Sequence, residues 1–386
     1  MSAYRVSGQV RLKRGREASL ARRHPWVYRG ALAEPDVPGG TVEVRGWDGT
    51  RLGVALAGEA GRSLALRMLT WGDELWSPET LCRRLQQAAA RRARLGLDSD
   101  AYRLVHAEGD ALPGLVIDRY GSWTVIEPFM SAWDPYLADI ASFLRAAAQL
   151  DGVLLRRGHR VEPLLGELPG GPVEVREGRW KLLADLTSGQ KTGLFLDQRD
   201  NRRLVAELAG ACAVLNLFSY SGGFGVAALL GGATRVVNVD GSAHALKLAR
   251  QTYRANGLPV VDDDFVCADG FAAAKQLCSR GVRFDLVIVD PPAFVTQRSR
   301  LAAGLRGYRE INRLALQLAA PGALLLTCSC SALVSEQLFA ETLLTAALQA
   351  GRQVAVLERR GAGWDHPVSL FCPEPRHLKA WLCRLD

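Results

Sequence analysis

Two short stretches in the last third of the chain contain side chains that could react with a nucleobase. Thr327 to Ser331 (TCSCS) holds two thiols, Cys328 and Cys330, and Asp290-Pro291-Pro292 follows an apolar run. A thiolate can add to C6 of a pyrimidine, which turns C5 into an enamine-like carbon that can attack a sulfonium methyl group. Most cysteines are ordinary buried thiols, but a strand end next to the proline loop favours a chemical role for Cys330.

The Asp290-Pro291-Pro292 loop is rigid because neither proline has a backbone N–H and both rings restrict the backbone. It closes the predicted strand Leu286 to Asp290, whose apolar composition is typical of a buried strand. A rigid loop with fixed carbonyl directions is suited to hold a planar base. Cys328 and Cys330 are two residues apart, so their side chains share one face if the strand continues past Thr327 and diverge if it ends there.

A third stretch, Ala213 to Asp240, has the pattern of a strand, a glycine loop, a helix and a second strand. The loop contains Gly222, Gly223 and Gly225, and we predict a helix from Val226 to Leu230. Glycines let the backbone approach a ligand closely, and the start of a helix offers unpaired N–H groups. This pattern favours a nucleoside-containing cofactor over a plain βαβ crossover. The G-x-G-x-x-G spacing is missing, which argues against a pyrophosphate-containing cofactor.

Two further carboxylates close predicted strands. Asp240 ends the second strand of the glycine unit, where it could bind both ribose hydroxyls, and Asp269-Gly270 closes the next strand. Asp269 could accept a hydrogen bond from the exocyclic amine of adenine. Each aspartate alone could equally cap a helix. Because four successive strand ends carry polar groups, one shared ligand site explains them better than four separate caps.

These side chains need a sheet that brings strand ends together, and the chain from Gln190 onward alternates strands with helices. The predicted helices include Ala243 to Asn256 and Tyr308 to Ala319. The seven predicted strands are Val214 to Phe218, Val236 to Asp240, Phe265 to Ala268, Leu286 to Asp290, Ala323 to Thr327, Val354 to Glu358 and Lys379 to Arg384. The expected fold class is α/β: an open, mostly parallel sheet with helices on both faces and ligands at the carboxyl ends of its strands.

The N-terminal segment combines positive charge with aromatic rings. Eight Lys and Arg residues lie between Arg5 and Arg29 against a single acid, with His24 among them. Cations contact phosphates and flat rings stack on unpaired bases, so this composition indicates an RNA-binding surface, with a solvated basic face as the alternative. The residues expected to contact RNA are Arg14, Arg22, Arg23, Trp26 and Tyr28.

Two smaller folding units are predicted before the α/β segment. Short β-like runs at Thr41 to Val44, Gly53 to Leu56 and Ser63 to Met68 indicate a β-rich domain that ends near Trp71. Ser77-Pro78-Glu79 has the N-cap and first-turn proline of a helix start. The arginines of that helix could contact RNA, but a solvated face is favoured for most of them: Arg83, Arg84, Arg91, Arg92 and Arg94. The strand-like runs Leu115 to Asp118, Thr124 to Ile126, Val153 to Arg156 and Val173 to Val175 and a helix from about Pro135 to Leu150 complete a second, α+β unit.

The composition restricts the class of protein. The chain has 386 residues, a net charge of +8 and 48% hydrophobic residues, which suits a globular protein of two or three domains with an anionic partner. Its eight cysteines contain no C-x-x-C pair, so we expect reduced thiols and no metal site. The basic N-terminus lacks the apolar segment of a signal peptide, and Pro321-Gly322 divides the uncharged stretch Leu314 to Ser335. A cytoplasmic protein that does not span a membrane is therefore expected.

Five segments together resemble the RlmI-like family of bacterial 23S ribosomal RNA 5-methylcytosine methyltransferases. They are TGLFLDQRDNR (Thr192 to Arg202), NLFSYSGGFG (Asn216 to Gly225), VIVDPPAF (Val287 to Phe294), RGYREIN (Arg306 to Asn312) and TCSCS (Thr327 to Ser331). The glycine loop and the DPP loop resemble motifs I and IV of class I S-adenosylmethionine-dependent methyltransferases. The resemblance covers nearly the whole chain and implies a PUA-like RNA-binding domain (1–73), a small EEHEE-like α+β domain (74–188) and a Rossmann-like methyltransferase domain (189–386).

The resemblance also implies roles for individual residues. Cys330 matches the nucleophile of that family, Asp290 the carboxylate that holds cytosine N3, and Gln198 and Arg199 lie in the segment around the methionine end of S-adenosylmethionine. The expected cofactor contacts are Gln198, Arg199, Phe218, Ser219, Tyr220, Gly222, Gly223, Asp240, Ser242, Asp269, Gly270, Asp290 and Pro291. Many related enzymes carry a second cysteine after the motif IV proline, where this chain has Ala293-Phe294. Another group must then assist product release.

The implied partner is 23S ribosomal RNA, either naked or in an assembling large subunit, and the sequence leaves open whether the chain forms a homodimer. One alternative is a methyltransferase that acts on another base atom, such as an exocyclic amine, and needs no nucleophile. A second alternative is a ribosomal RNA-binding assembly factor that keeps the fold without catalysis. The glycine spacing disfavours a nicotinamide dehydrogenase.

Overall fold

The computed structural model describes residues 4–34 and 36–386. The chain forms two compact units. The N-terminal unit consists of the chain up to Val173 together with Asp185–Gly193 and Trp364–Pro375. The C-terminal unit consists of Glu174–Ala184, Leu194–Gly363 and Arg376–Asp386. The three predicted domain ranges, 1–73, 74–188 and 189–386, stay a prediction.

The N-terminal unit begins with a small sheet whose strand order is β1-β3-β4-β5-β2. Its elements are β1 (Gly8–Arg11), α1 (Ala18–Ala21), β2 (Trp26–Tyr28), β3 (Thr41–Arg45), β4 (Arg51–Ala57) and β5 (Leu64–Met68). Buried side chains such as Val42, Val44 and Leu66 form its core. The three predicted β runs are confirmed. Sequence patterns missed β1 and β2 because these strands are short and carry charged and aromatic residues.

A second sheet of the N-terminal unit has the order β10-β9-β8-β7-β6. Its elements are α2 (Pro78–Arg94), β6 (Ala101–His106), β7 (Leu115–Tyr120), β8 (Trp123–Pro128), α3 (Leu137–Ala147), β9 (Gly152–Arg157) and β10 (Arg160–Leu165). The Ser77 side chain accepts a hydrogen bond from the Thr80 N–H, so the predicted helix start is confirmed. The predicted helix from about Pro135 is shorter than expected, because a 3₁₀ turn runs through Pro135 before α3 begins.

The prediction of a solvated arginine face on α2 is wrong for two residues. Arg92 is 4% exposed and its Nη1 and Nη2 contact the two Asp110 carboxylate oxygens at 2.6 and 2.7 Å. Arg84 is also buried and donates to the carbonyl oxygens of Leu69 and Ala111. Both guanidinium groups are therefore structural, because a buried cation requires acceptors on all sides.

The C-terminal unit is built on a sheet of seven strands within the described residues, in the order β15-β14-β13-β16-β17-β19-β18. The strands are β13 (Ala213–Leu217), β14 (Arg235–Asp240), β15 (Phe265–Cys267), β16 (Phe284–Val289), β17 (Ala319–Ser329), β18 (Val354–Arg360) and β19 (Lys379–Leu385). The first five of that order are parallel, and β19 is antiparallel to both of its neighbours. All seven predicted strands and the mostly parallel arrangement are confirmed.

Helices cover both faces of this sheet. They are α4 (Arg199–Leu208), α5 (Gly223–Leu230), α6 (Ala243–Ala255), α7 (Gly270–Ser279), α8 (Leu301–Leu318) and α9 (Glu336–Ala350), and a hairpin of β11 (Val173–Glu177) and β12 (Trp180–Ala184) precedes them. Leu215 packs in one core with residues of α7, α8 and α9, whereas its neighbour Val214 packs in another with residues of α4 and α5. This alternation confirms the predicted α/β class, because successive strand side chains point to opposite faces.

Three element boundaries differ from the prediction. Helix α5 begins at Gly223, so Gly223 and Gly225 lie in the helix and not in the loop. A Cβ on Gly225 would collide with the Tyr253 hydroxyl and with Asn238, so this glycine serves close packing. Helix α8 starts at Leu301, before the predicted start. Pro321-Gly322 interrupts no strand: β17 runs through it with a shift in register against β16.

No helix within the described residues is both long and apolar enough to cross a bilayer. The uncharged stretch from Leu314 to Ser335 is divided between the end of α8, β17 and the turn after it.

Candidate active site

The carboxyl ends of the central parallel strands lie side by side in the C-terminal unit. Leu217 at the end of β13 pairs with Val239 of β14 and with Val289 of β16. Val289 in turn pairs with Thr327 of β17. The residues that follow these positions therefore share one edge of the sheet. We call the ends of β13, β14 and β15 the glycine-loop half of the site and the ends of β16 and β17 the cysteine half.

The loop after β13 is tightly turned. Phe218 (φ 62°), Tyr220 (φ 47°) and Gly222 (φ 77°) all have left-handed backbone conformations. Such conformations are costly for residues other than glycine and are concentrated at functional sites. The Tyr220 N–H donates to Asp240 Oδ2 at 2.8 Å, which holds the turn against the end of β14. A Cβ on Gly222 would lie 2.9 Å from the Ala249 Cβ, so α6 also requires glycine there.

Asp240 and Ser242 organise the next strand end. Asp240 Oδ1 accepts from the Ser242 N–H at 2.8 Å, so each carboxylate oxygen already holds one backbone N–H. Each oxygen retains a lone pair, which suits hydroxyl donors such as those of ribose. The Ser242 side chain caps α6 by accepting from the Ala245 N–H. Ser242 therefore has a structural role beside any contact to a ligand.

Ser219 carries a buried polar atom that a ligand could satisfy. Ser219 is 5% exposed, and its Oγ has no hydrogen-bond partner within the described part of the chain. Buried hydroxyl groups in proteins almost always have a partner. The orphaned Oγ in a strained glycine loop therefore fits a bound polar ligand such as S-adenosylmethionine.

Asp269 has the helix-capping geometry that the sequence left open. Its Oδ1 accepts from the N–H groups of Phe271 and Ala272 at 3.0 Å each, at the start of α7. The residue is exposed, and Oδ2 can still accept a hydrogen bond from a ligand. Gly270 packs closely against the Phe218 ring. A Cβ at this position would lie 2.7 Å from the ring, so the packing favours glycine.

Three phenylalanines of the C-terminal unit pack together beside these strand ends. The ring centroids of Phe218 and Phe271 are 6.5 Å apart, and those of Phe271 and Phe294 are 5.8 Å apart. Each of the three rings is partly exposed. An apolar wall of this kind suits a planar heterocycle. Sequence analysis did not single out Phe271 and Phe294, because an isolated phenylalanine has no signature of its own.

The segment before α4 is buried and hydrogen-bonded. Gln198 Oε1 accepts from Asn201 Nδ2 at 2.6 Å, and Arg199 Nε donates to Asp200 at 3.2 Å. Gln198 also hydrogen-bonds with the Cys328 thiol, so this segment reaches the end of β17. Sequence analysis missed Arg202, whose guanidinium makes a two-pronged, buried contact with the Glu177 carboxylate at 2.8 and 2.5 Å. That pair ties the β11–β12 hairpin to α4.

The two thiols of the cysteine half differ in environment. Cys328 is fully buried, and burial together with the Asp290 carboxylate raises its pKa well above the ordinary value. Cys330 is half-buried, and its Sγ lies 3.8 Å from the Pro291 carbonyl oxygen. β17 continues past Thr327 to Ser329, and Cys328 and the following Cys330 pack against the same core. Cys330 is therefore the more accessible of the two thiols.

Residue 331 anchors the segment that carries Cys330. The buried Ser331 Oγ accepts from the Val295 N–H at 3.1 Å and hydrogen-bonds the Tyr308 hydroxyl at 2.8 Å. Its carbonyl oxygen accepts from Lys379 Nζ at 2.9 Å. The DPP loop, α8 and β19 thus all hold the residue next to Cys330. Sequence analysis assigned no role to the side chains of Ser331, Tyr308 and Lys379, since their partners are distant in the chain.

The predicted RNA-binding residues lie in the first sheet region of the N-terminal unit. Arg22 and Arg23 are exposed, and Tyr28 is 49% exposed. Trp26 is half-buried, and its indole N–H donates to Glu108 at 2.8 Å. It therefore presents less free ring surface than expected. Arg14 lies 4.9 Å from the ring of Trp47, an exposed aromatic residue that sequence analysis missed.

One cluster of potential metal ligands occurs among the described residues: His24, Cys372 and Glu374. His24 Nδ1 accepts from the Trp26 N–H at 3.2 Å, so Nε2 carries the ring proton. Nε2 lies 3.0 Å from the Glu374 carboxylate and donates to it. A metal-binding histidine nitrogen must be unprotonated, and its other nitrogen normally donates. Burial and the Glu374 carboxylate also raise the Cys372 pKa, so the cluster suits a hydrogen-bonded contact better than a metal.

Comparison with known families defines the class of protein. The S-adenosylmethionine-dependent methyltransferase family matches residues 139–360, and the PUA-like domain family matches residues 10–71. The crystal structure of SMU.776, described as a methyltransferase complexed with SAH, superposes with a TM-score of 0.88 at 21% identity, over 97% of this chain and 99% of that chain. An S-adenosylmethionine-dependent methyltransferase from Streptococcus mutans superposes with a TM-score of 0.86 at 21% identity and the same coverage. The chain is a methyltransferase with a Rossmann-like catalytic sheet, a PUA-like N-terminal domain and S-adenosylmethionine as its cofactor.

Curated relatives narrow the class to one family. Ribosomal RNA large subunit methyltransferase I from Klebsiella pneumoniae is 39% identical over 394 residues, which cover 97% of each chain. The protein of the same name from Escherichia coli is 39% identical over 398 residues, which cover 98% of this chain and 100% of that protein. The chain therefore belongs to the ribosomal RNA large subunit methyltransferase I family, which confirms the expected resemblance.

Proposed function

We propose that the chain transfers a methyl group from S-adenosylmethionine to C5 of a cytosine in 23S ribosomal RNA, with Cys330 as the nucleophile. The observation that carries the proposal is the position of a half-buried thiol, Cys330 Sγ, 3.8 Å from the carbonyl of Pro291 in the rigid loop that starts with Asp290. The names of the relatives support ribosomal RNA of the large subunit as the substrate. The relatives are bacterial proteins, and bacterial ribosomal RNA is in the cytoplasm, so the cytoplasm is the proposed location of this protein.

The proposed mechanism assigns a step to each side chain of the cysteine half. The target cytosine leaves its stack and lies beside Asp290, which in its protonated form donates to N3 as the Cys330 thiolate adds to C6. This addition forms the S–C6 bond and makes C5 nucleophilic. S-adenosylmethionine supplies the methyl group from its sulfonium. A base then removes H5 as a proton, the S–C6 bond breaks, Cys330 regains its electron pair, and the N3 proton returns to Asp290.

The proposed cofactor contacts follow the glycine-loop half. The Asp240 carboxylate would bind the ribose hydroxyls, and the orphaned Ser219 Oγ would bind a polar group of the methionine end. Asp269 Oδ2 would accept from the adenine amine. The Phe218, Phe271 and Phe294 rings would cover the adenine. The residues proposed to complete the site are Gln198, Arg199, Tyr220, Gly222, Gly223, Ser242, Gly270 and Pro291.

RNA recognition is proposed for the N-terminal sheet. Exposed cations such as Arg22 and Arg23 would contact phosphates, and the exposed rings of Tyr28 and Trp47 would stack on unpaired bases. The ring of Trp26 would contribute less, because Glu108 and Arg67 already contact it. The PUA-like family match supports this assignment.

A trapping experiment tests the covalent mechanism. Transcripts of 23S ribosomal RNA that contain 5-fluorocytidine cannot lose a proton from C5, so the S–C6 bond should persist after methyl transfer. We expect a protein–RNA adduct that survives denaturation, with the crosslink at Cys330 by mass spectrometry. Cys328→Ala is the matched control and should still form the adduct.

Two other outcomes would identify a different reaction. Turnover without an adduct, with a methyl group on an exocyclic amine, would identify an amino-methylating enzyme. A map of 5-methylcytosine in the large-subunit RNA that is unchanged in a strain lacking the gene would contradict the proposed substrate. If the protein bound the RNA but methylated none of its atoms, the result would favour a non-catalytic ribosome-assembly factor.

A further inference from the structure

Lys379 is a buried cation at the end of the strand next to Cys330. It is the first residue of β19, is 5% exposed, and pairs in register with Ser329, which precedes Cys330. Its ammonium nitrogen donates to the carbonyl oxygen of Ser331 at 2.9 Å and to that of His377 at 2.7 Å. The ammonium group of Lys379 therefore lies close to the peptide that links Ser331 to Ala332, one residue beyond Cys330.

The two acceptors of Lys379 in the described part of the chain are neutral carbonyl oxygens. An ammonium group has three N–H donors, so one donor remains for a further group. A buried cation is costly unless a negative charge lies close to it. An anion near the carboxyl end of β17 would therefore be stabilised by Lys379 and would stabilise Lys379 in return.

Several charged or titratable groups surround this pair. Burial lowers the pKa of Lys379, and the Glu336 carboxylate and the Cys330 thiolate oppose that shift, while Arg376 adds to it. Tyr308 also interacts with Cys330, and burial raises the pKa of its hydroxyl, so it remains neutral. The Asp290 carboxylate and Cys330 both interact with the buried Cys328 thiol, so Asp290 places a negative charge in the same region. Lys379 is a cation that interacts with Cys330.

We propose that Lys379 is a positioning residue for Cys330: its ammonium group holds the Ser331 carbonyl and stabilises the Cys330 thiolate electrostatically. The inference rests on the proposed function, in which that thiolate adds to cytosine. When Cys330 ionises, its proton passes to solvent and its sulfur keeps the electron pair beside the cation. After elimination the thiolate is regenerated in the same environment, ready for the next turnover.

The test measures the pH dependence of iodoacetamide alkylation at Cys330, read by mass spectrometry of its peptide in the full-length protein without RNA. Lys379→Met removes the charge and keeps the volume, and Lys379→Gln also keeps a hydrogen-bond donor for the Ser331 carbonyl. We expect the midpoint to rise by about one pH unit in both variants, which lowers the alkylation rate at neutral pH about tenfold. Lys379→Arg should restore most of the reactivity, and Arg384→Met on the same strand should leave it unchanged.

The wild-type protein provides a second measurement that needs no variant. Cys212 and Cys278 are half-buried thiols like Cys330, and burial raises the pKa of both. The proposal expects Cys330 to become reactive at a lower pH than either of them. A midpoint at Cys330 equal to or above theirs, or an unchanged midpoint in folded Lys379→Gln protein, would overturn the proposal.

The alkylation experiment tests the role of Lys379, and the trapping experiment tests the covalent mechanism, so each can contradict its proposal independently. A midpoint shift in Lys379→Gln without an RNA adduct would support the role of Lys379 and contradict the covalent mechanism. An adduct at Cys330 without a midpoint shift would support the mechanism and contradict the role of Lys379. A lower turnover number with an unchanged KM for S-adenosylmethionine in Lys379→Gln would further separate this role from cofactor binding.

Discussion

The glycine-loop half and the cysteine half of the site are held in place differently. In the glycine-loop half, backbone N–H groups bind nearby side chains: Asp240 accepts from Tyr220 and Ser242, and Asp269 caps α7. In the cysteine half, Ser331 is held by side chains and backbone from three other elements. The first half is a local motif that could bind its ligand on several scaffolds. The second depends on the complete sheet, including the antiparallel β19.

The largest expected effect separates the two halves by function. Cys330→Ala should lower the rate of RNA methylation by on the order of 10³-fold or more, because it removes the proposed nucleophile. Its affinity for S-adenosylmethionine should stay within a few-fold of wild type by calorimetry. Cys328→Ala is the control and should retain most activity, with a loss of about 1 kcal/mol in the free energy of unfolding from the lost core volume. Full turnover by Cys330→Ala would contradict the proposal that the cysteine half supplies the nucleophile while the glycine-loop half binds the cofactor.

The next effect concerns the glycine-loop half alone. Asp240→Ala should weaken S-adenosylmethionine binding about 10- to 100-fold, because it removes the proposed charged acceptors for the ribose hydroxyls and releases the Tyr220 turn. Calorimetric titration with S-adenosylhomocysteine measures this, and Asp262→Ala removes an exposed carboxylate as control. Unchanged affinity in Asp240→Ala would show that the ribose lies elsewhere.

A smaller effect tests the fit between Phe218 and Gly270. Gly270→Ala places a Cβ 2.7 Å from the Phe218 ring, so the ring or the start of α7 must shift. We expect a loss of about 1–3 kcal/mol in the free energy of unfolding by urea denaturation, accompanied by weaker cofactor binding. Gly241→Ala is the matched control, since its nearest neighbour would be 4.0 Å away. Equal stability of the two variants would mean that the ring is free to adjust.

The smallest effect distinguishes a cap from a ligand contact at Asp269. Asp269→Asn keeps a good N-cap, so the free energy of unfolding should barely change, whereas Asp269→Ala should lose about 1 kcal/mol. If Oδ2 also accepts from adenine, both variants should bind S-adenosylmethionine a few-fold more weakly. Affinity that falls only in Asp269→Ala would assign the residue to capping alone.

Much of the fold could be predicted from local patterns. The strands from β13 to β17 are apolar runs bounded by polar residues, and the Ser77-Pro78 helix start follows from side-chain capping alone. Local patterns gave wrong predictions where contacts with residues far away in the chain determine whether a side chain is buried. Arg84 and Arg92 on α2 are buried because acceptors from other elements meet them. Gly225 belongs to α5 because Tyr253 and Asn238 leave no room for a side chain.

The sequence by itself determined the family resemblance, the order of the strands along the chain and the polar residues that close them, such as Asp240, Asp290 and Cys330. These are properties of neighbouring residues. Only the tertiary structure decided that Cys328 is buried while Cys330 is half-exposed, and that Lys379 reaches Ser331 across 48 positions of sequence. Such contacts depend on the pairing of β17 with β19, and the pairing of antiparallel strands far apart in the chain leaves no local pattern at either residue.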